Sequence, residues 1–282
     1  MALQKKYVLD LMVKSVQRVH ERYVLIRLTD SQPLPPMQPG QFVEVRVDGS
    51  PSTFLRRPIS INYVDYVQNE LWLLVAIVGD GTRRMAALQA GDRLNCLLPL
   101  GNGFTIPNGK TALHRVLLVG GGVGVAPLLY LGKTLCDAGV EPTFLLGART
   151  AADLLMLDEF EKYGRVLVTT EDGSMGERGF VTNHTILFDG TNGTNEVNRK
   201  GETFDLIQCC GPTPMMKNVA AYAHKRDIEC EVSLENLMAC GLGACLCCVE
   251  KIASPVPSQN YTNVCVCKEG PVFNIKRLLW QS

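Results

Sequence analysis

The hydrophobic pattern of the first part of the chain is that of short β-strands. Runs of β-branched and apolar residues end at turns that contain glycine or proline, as antiparallel strands do. A single stretch, at 82–89, has helical spacing instead. This pattern predicts an antiparallel β-barrel. Its predicted strands include 23–28, 41–47, 71–78 and 92–98.

Beyond residue 108 the pattern becomes an alternation of strands and helices, which predicts a doubly wound parallel sheet. The predicted strands are 116–119, 143–146, 166–169 and 206–209, and the predicted helices are 128–138, 158–162 and 214–224. A polar stretch at 189–201 predicts a surface loop. From about residue 229 the composition shifts to cysteine and glycine. We therefore predict three units with the bounds 1–107, 108–228 and 229–282.

Charge and hydrophobicity exclude several classes of protein. The chain has 28 Lys and Arg against 28 Asp and Glu, so it offers no basic field for nucleic acid or an anionic membrane. A hydrophobic fraction of 46% in 282 residues is ordinary for a globular protein of about two domains. No run reaches the ~18 apolar residues of a membrane span, and the N-terminal segment does not resemble a signal peptide. We therefore expect a cytoplasmic protein that binds neither nucleic acid nor a membrane.

Cysteines crowd the C-terminal part of the chain. Cys240, Cys245 and Cys248 have the spacing Cys-x4-Cys-x2-Cys, and Cys267 follows. This is close to the plant-type spacing of a [2Fe–2S] cluster, which indicates electron transfer. Cys265 is the alternative fourth ligand, and a four-cysteine zinc site is the alternative to a cluster. An odd total of 11 cysteines without an export signal favours reduced thiols over disulfides.

A glycine-rich loop lies between the predicted strand 116–119 and the predicted helix 128–138. In this position, backbone N–H groups and the helix dipole hold a pyrophosphate. The loop lacks the spacing Gly-x-Gly-x-x-Gly, so a tight turn without a ligand is the alternative. Its candidate nucleotide-binding residues are Gly120, Gly121, Gly122, Gly124 and Pro127.

Two segments of the predicted barrel carry groups suited to phosphate. The first offers guanidinium and hydroxyl donors on or beside a strand, and the second opens the predicted helix 82–89. A surface arginine pair and a hairpin turn are the alternative interpretations. The candidate residues are Arg56, Arg57, Pro58, Ile59 and Ser60 in the first segment and Gly79, Gly81 and Thr82 in the second.

The order of these motifs, together with Cys-Gly-Pro-Thr-Pro-Met at 210–215, resembles the ferredoxin reductase-like flavoprotein superfamily. With the cysteine run and Cys-Lys-Glu-Gly-Pro-Val-Phe at 267–273 added, the chain resembles the electron-transfer subunits of NAD-dependent dihydroorotate dehydrogenase over essentially its full length. The resemblance implies an FAD-binding barrel at 1–107, an NAD-binding α/β domain at 108–228 and a [2Fe–2S] lobe at 229–282.

The resemblance also implies roles for individual residues. Arg57 and Ser60 would contact phosphate or ribityl groups of FAD, and Gly81 with Thr82 would contact its pyrophosphate. Ile59 would make an aliphatic contact where the family has a tyrosine, and Pro58 and Gly79 complete the predicted FAD-binding residues. The glycine loop, Gly211 and Pro212 would bind NAD. Cys210 would lie near the nicotinamide, and a buried structural cysteine is the alternative there. Arg149 is either a partner for the 2′-phosphate of NADP or a surface residue, and the resemblance favours NADH.

The function implied by the resemblance is electron transfer in pyrimidine biosynthesis. A partner catalytic subunit with FMN would oxidise dihydroorotate to orotate. Electrons would then pass through the cluster and FAD to NAD⁺, in a heterotetramer with two copies of each subunit. One alternative is the same cofactor set serving ferredoxin, hydrogenase or sulfide metabolism. Another, of a different class, is a zinc-stapled nucleotide-binding regulatory module.

Overall fold

The computed structural model describes residues 5–49, 52–107, 115–187, 202–256 and 258–280. The surface loop predicted at 189–201 lies outside the described residues, and so does residue 108 at the first predicted domain boundary. Among the described residues, no helix is both long and apolar enough to cross a membrane.

Six antiparallel strands close into a barrel, as the sequence predicts. They are β1 (Tyr7–His20), β2 (Tyr23–Thr29), β3 (Phe42–Val45), β4 (Arg57–Asp65), β5 (Glu70–Ala76) and β6 (Arg93–Leu100). The order around the barrel is β1-β2-β5-β4-β3-β6. A short helix, α1 (Asp80–Ala86), follows β5. Buried apolar side chains such as Ile26, Val43 and Ile61 form the core of the barrel.

The sequence pattern does not predict β1, although β1 is the longest strand. Among its 14 residues, only Leu11 and Val13 are fully buried. In its first half, buried or half-buried residues alternate with exposed ones, but the exposed positions include the apolar Val8 and Met12, which are 61% and 39% exposed. Hydrophobic periodicity predicts a strand where apolar and polar residues alternate, and Val8 and Met12 break that alternation.

A second sheet has seven strands, and all neighbours pair in parallel except the last two. The strands are β7 (Val116–Gly121), β8 (Thr143–Ala148), β9 (Arg165–Thr170), β10 (Glu177–Arg178), β11 (Leu206–Cys210), β12 (Glu229–Ser233) and β15 (Val272–Asn274). Their order is β10-β9-β8-β7-β11-β12-β15. This confirms the doubly wound sheet, with one antiparallel strand at its edge.

Helices cover both faces of this sheet. They are α2 (Ala126–Asp137), α3 (Leu157–Phe160) and α4 (Thr213–Lys225). Leu118 of β7 packs in one buried cluster with α2, whereas Leu117 packs in another with α4. Short 3-10 turns occur at Gly122–Val125, Ala151–Asp153, Val181–Asn183, Thr185–Leu187 and Ile275–Arg277.

The cysteine-rich segment is inserted between β12 and the edge strand β15, which pair with each other. It contains a two-stranded sheet, β13 (Val249–Ala253) and β14 (Tyr261–Cys265), followed by α5 (Val266–Glu269). The backbone N–H of Asn102 donates to the Gly270 carbonyl at 2.6 Å, which joins the segment to the end of the barrel. Strands β12 and β15 follow residue 228, and both belong to the seven-stranded sheet. The bounds 1–107, 108–228 and 229–282 remain predictions.

Candidate functional site

Two neighbouring strands mark the topological switch point of the seven-stranded sheet. The chain continues from β7 to β8 on one side and from β11 to β12 on the other, and ligands bind in the crevice at such a point. The loops after β7 and β11 touch. A Cβ atom added to Gly124 would lie 2.5 Å from the Cα atom of Gly211. Glycine is needed at Gly124 because the two backbones pack directly together.

A cavity of about 520 Å³, here called the crevice cavity, opens along these loops. Three of the residues predicted for nucleotide binding line it, namely Gly121, Gly122 and Pro212. Gly120 lies behind the wall, where an added Cβ atom would be 2.9 Å from the Leu128 and Val125 side chains. The other predicted residues shape the surroundings of the cavity: Pro127 is buried in the first turn of α2, and Gly124 and Gly211 form the backbone contact.

A second cavity, of about 390 Å³, lies between the barrel, the glycine loop and the segment 233–238 and is here called the barrel cavity. The predicted residues Arg57, Pro58, Ile59, Ser60 and Thr82 all line it. The Thr82 hydroxyl accepts the N–H of Val78 at 2.9 Å and that of Gly79 at 3.0 Å, so this side chain fixes the loop that opens α1. Gly81 packs against Arg57, whose Nε would lie 3.2 Å from an added Cβ atom.

The two adjacent arginines have different environments. Arg56 donates to the carbonyl oxygens of Glu44 and Asn95 at 3.0 and 3.2 Å, and to the Asn95 side chain at 2.5 Å. Among the described residues, Arg57 donates to two carbonyls of its own loop, those of Leu55 and Arg56, and it lines the barrel cavity. Arg56 therefore ties barrel strands together, whereas the Arg57 guanidinium is available to an anionic ligand.

The segment 233–238 forms a wall of the barrel cavity, and no motif in the sequence predicts this position. Ser233 at its start pairs in register with Cys210 of β11. Burial raises the pKa of the Cys210 thiol, nearby Glu235 adds to the rise, and a hydrogen bond with Ser233 opposes it. Burial also raises the pKa of Glu235. Cys210 is 1% exposed and stands beside the point where the two loops meet.

Backbone N–H groups point at the sulfur atoms of the predicted cluster ligands. The Cys240 sulfur accepts from the N–H of Leu242 at 3.4 Å and from that of Cys245 at 3.5 Å. The Cys245 and Cys248 sulfurs accept from the N–H groups of Cys247 and Cys267. Burial tends to raise the pKa of Cys240, but these backbone donors outweigh it and lower that pKa to about 6. Such N–H donors stabilise thiolate sulfur at a metal centre.

The environments of Cys265 and Cys267 differ in the direction of their hydrogen bonds. The Cys267 sulfur accepts the N–H of Gly243 at 3.1 Å, like the other three predicted ligands. The Cys265 thiol instead donates to the Gly243 carbonyl at 3.7 Å. An N–H donor favours a thiolate and a carbonyl acceptor favours a protonated thiol. The contrast supports Cys267 rather than Cys265 as the fourth ligand.

The donor set fits a [2Fe–2S] cluster, in which two irons share four thiolates, and the backbone N–H groups at the sulfurs stabilise the thiolate form. Four thiolates also suit tetrahedral zinc. The Cys-x4-Cys-x2-Cys spacing of Cys240, Cys245 and Cys248, rather than the type of donor, favours the cluster.

A buried carboxyl group lies under the cysteine loop. Glu44 of β3 is fully buried, and a Cβ atom added to Gly241 would lie 2.7 Å from its Cγ. Within the described part of the chain, neither carboxyl oxygen has a hydrogen-bond partner. Burial raises the pKa of Glu44 to about 7, although the charges of Arg56 and Arg57 oppose the rise.

Replacing Glu44 by glutamine is expected to stabilise the protein at pH 8 more than at pH 5. Between the ordinary pKa of 4.5 and the raised pKa of about 7, the unfolded chain loses this proton before the folded protein does. The wild-type protein therefore loses stability as the pH rises through this range, by about 3 kcal/mol in total. Thermal unfolding midpoints of both proteins at the two pH values check this. A stability difference that does not change with pH would contradict it.

Most of the chain is similar to known proteins. A family described as the iron-sulfur cluster binding domain of dihydroorotate dehydrogenase B matches residues 235–279, and one described as an oxidoreductase NAD-binding domain matches residues 118–221. The dihydroorotate dehydrogenase B (NAD(+)) electron transfer subunit of Shouchella clausii is 40% identical over 84% of this chain and 85% of its own length. The chain belongs to this family of electron-transfer subunits.

Other similarities agree with membership of the electron-transfer subunit family. The corresponding subunit of Fusobacterium nucleatum is 38% identical over 83% of this chain and 84% of its own. A solved NADH-dependent reduced ferredoxin-NADP oxidoreductase covers all of this chain and 92% of its own, with 30% identity and a TM-score of 0.79. Amycolatopsis cytochrome P450 reductase covers 80% of this chain and 68% of its own, with 25% identity and a TM-score of 0.63. The predicted fold class is confirmed, and the zinc-stapled module is not supported.

Proposed function

We propose that this chain receives electrons from a catalytic subunit in which dihydroorotate is oxidised to orotate and delivers them to NAD⁺. One observation carries the proposal. The cysteine segment begins at the wall of the barrel cavity, because Met238 lines that cavity and Cys240 follows two residues later. The glycine loop contributes to both cavities, with Gly122 at the crevice cavity and Val123 at the barrel cavity. The order of sites is therefore cysteine segment, barrel cavity, crevice cavity.

The barrel cavity is the proposed FAD site. Bound there, FAD supplies the conversion between single electrons and the hydride of nicotinamide. Arg57 and Ser60 offer donors to its phosphates and hydroxyls, and Ile59 offers an aliphatic contact. The loop that contains Gly79 and Gly81 adjoins the cavity, and Val78 and Thr82 at its two ends line the wall. The Thr82 hydroxyl fixes this loop by accepting the N–H groups of Val78 and Gly79. Five of the residues predicted in the two barrel segments line the proposed site, namely Arg57, Pro58, Ile59, Ser60 and Thr82. Gly79 and Gly81 belong to the adjoining loop, and Arg56 lies outside the site.

The proposed cluster ligands are Cys240, Cys245, Cys248 and Cys267. A [2Fe–2S] cluster supplies single-electron transfer at this position. Burial raises the pKa of Cys267 to about 12, so this thiol has to release its proton when metal binds.

The crevice cavity is the proposed NAD⁺ site. Backbone N–H groups of the glycine loop would hold the pyrophosphate, as at other switch points of this kind. Cys210 is 1% exposed, belongs to a buried apolar cluster and lines neither cavity. Its side chain would therefore pack behind the loop that bears Gly211 and Pro212, as the buried structural cysteine of the alternative interpretation, and burial keeps its pKa above the ordinary value.

The surface around the cysteine loop is the proposed docking site for the FMN-containing catalytic subunit. Leu237, Leu242 and Leu246 are 87%, 47% and 63% exposed, and Cys245 is exposed among them. Exposed apolar side chains grouped in one place mark protein interfaces. We infer two copies of each subunit, in the cytoplasm. The 11 cysteines are free thiols in the structure, which suits that reducing compartment.

Replacing Arg57 by alanine is expected to weaken FAD binding by about ten- to a hundredfold. This factor corresponds to the usual free energy of a hydrogen bond to a charged group. The matched change Arg56→Ala should instead lower the thermal unfolding midpoint, because it removes hydrogen bonds inside the barrel. FAD titration followed by flavin fluorescence and thermal unfolding of both variants check this. Equal FAD affinity in the wild type and Arg57→Ala would contradict the assignment of the barrel cavity.

The proposed function is tested by reconstitution. The protein, purified without oxygen, should contain FAD, iron and inorganic sulfide, and mixing it with a dihydroorotate-oxidising FMN subunit should produce dihydroorotate-dependent NAD⁺ reduction. Electron transfer with ferredoxin but not with that subunit would favour the alternative partner. Zinc without iron would overturn the proposal.

A further inference from the structure

The crevice cavity has a charged corner built around one carboxylate. Asp153, in the turn after β8, stands at the cavity wall. Its Oδ1 forms an ion pair with Arg22 and lies 3.6 Å from Nη2 of Arg149 and 3.8 Å from Nε2 of His20. Its Oδ2 accepts a hydrogen bond of 3.0 Å from the Thr150 hydroxyl. Both oxygens of Asp153 are therefore engaged, and two guanidinium groups converge on one of them.

The two arginines come from different parts of the fold. Arg22 precedes β2 of the barrel and Arg149 follows β8, yet both line the crevice cavity. Their side chains are 42% and 61% exposed, so N–H groups remain accessible to a ligand. Glu171, which follows β9, adds a second carboxylate to the same wall. The formal charges of the two arginines and two carboxylates cancel.

The position of this corner in the sheet indicates which part of a dinucleotide it meets. It lies at the carboxyl end of β8, the strand beside β7 and its glycine loop. In dinucleotide-binding folds, residues beyond the glycine loop distinguish the ribose 2′-hydroxyl of NAD from the 2′-phosphate of NADP. Paired guanidinium groups suit a phosphate, whereas an adjacent carboxylate repels it.

We propose that Asp153 is a specificity-determining residue through which this chain prefers NAD⁺ to NADP⁺. By pairing with Arg22 and Arg149, it neutralises guanidinium groups that would otherwise attract a 2′-phosphate. The corner then offers hydrogen bonds to ribose hydroxyls without a net positive charge. The inference rests on the proposed placement of the dinucleotide in the crevice cavity.

Two charge changes of opposite sign test this. Asp153→Asn keeps an acceptor for Thr150 but removes the negative charge, so the ratio of kcat/KM for NADPH to that for NADH should rise on the order of tenfold. Arg22→Gln removes a positive charge that pairs with the Asp153 carboxylate. The remaining negative charge should repel a 2′-phosphate more strongly, so the same ratio of kcat/KM values should fall. The FAD-loaded protein is assayed with an artificial electron acceptor, and calorimetric titration with NADP⁺ and NAD⁺ gives a second readout. Partial misfolding of the two variants would not raise the NADPH to NADH ratio in Asp153→Asn and lower it in Arg22→Gln.

Asp158→Asn is the matched control, because it removes the same charge from an exposed residue of α3. Its coenzyme ratio should equal that of the wild type. An unchanged ratio in both Asp153→Asn and Arg22→Gln would overturn the inference.

A further variant, Ala148→Phe, separates this inference from the placement of the dinucleotide. Ala148 lines the crevice cavity, so the larger side chain should weaken the binding of both coenzymes alike. Normal NADH binding by this variant would show that the placement itself is wrong. Weakened binding together with unchanged ratios in the two charge variants would reject only the role of Asp153.

Discussion

Replacing Cys245 by serine is expected to abolish dihydroorotate-dependent NAD⁺ reduction while NADH oxidation by an artificial acceptor continues. Cys245 is an exposed member of the proposed ligand set, and its sulfur accepts the N–H of Cys247. Serine oxygen is a poor substitute for thiolate at an iron–sulfur cluster. The barrel and crevice cavities do not include Cys245 in their walls. Reduction of bound flavin by NADH should therefore survive, and electron entry from the catalytic subunit should be lost.

The same loop supplies matched controls for this experiment. Cys247→Ser and Cys265→Ser change thiols outside the proposed ligand set and should retain both activities. The visible absorbance and the electron paramagnetic resonance signal of the reduced protein report whether each variant holds a cluster. Loss of both activities in Cys245→Ser would indicate that the cysteine segment only stabilises the fold. Loss of the cluster in Cys265→Ser, with retention in a Cys267→Ser variant, would reassign the fourth ligand.

Local motifs made much of the site predictable from sequence. The spacing of Cys240, Cys245 and Cys248 places three sulfurs in one short loop, whatever the rest of the chain does. The strand, glycine loop and helix around Gly124 form a similar short-range signal, because the N–H groups that hold a phosphate are consecutive. Periodicity also predicts most strands of both sheets, since their apolar residues are buried on consistent faces.

Other parts of the site depend on tertiary structure and lacked a sequence signal. The wall at 233–238 reaches the barrel cavity only because β12 joins the seven-stranded sheet beside β11. Arg22 reaches Asp153 across 131 positions of sequence. Arg56 and Arg57 are chemically identical neighbours, and only the direction in which each side chain leaves an extended backbone separates their roles. Spacing alone contains no information on that direction.

Replacing Gly124 by alanine is expected to abolish reduction of the flavin by NADH while leaving electron entry from the catalytic subunit intact. The new Cβ atom would lie 2.5 Å from the Cα atom of Gly211 and 2.6 Å from the Cys210 carbonyl oxygen. These are backbone atoms, so the loops after β7 and β11 have to separate. That separation displaces Gly121 and Pro212, which line the crevice cavity. Overpacking of this kind typically costs about 1–3 kcal/mol of stability, which leaves the barrel and the cysteine segment folded.

The measurement is the bleaching of flavin absorbance without oxygen, first with NADH and then with dihydroorotate plus the catalytic subunit. Gly124→Ala should fail in the first test and pass the second, which is the reverse of Cys245→Ser. Gly139→Ala is the control for a general effect of glycine replacement, because an added Cβ atom there meets nothing within 4 Å. It should pass both tests despite its positive φ of 79°. NADH bleaching at the wild-type rate in Gly124→Ala would show that hydride transfer does not use the crevice. Opposite failures in the two variants would instead require two separate routes to one flavin, which is the arrangement that an electron-transfer subunit needs.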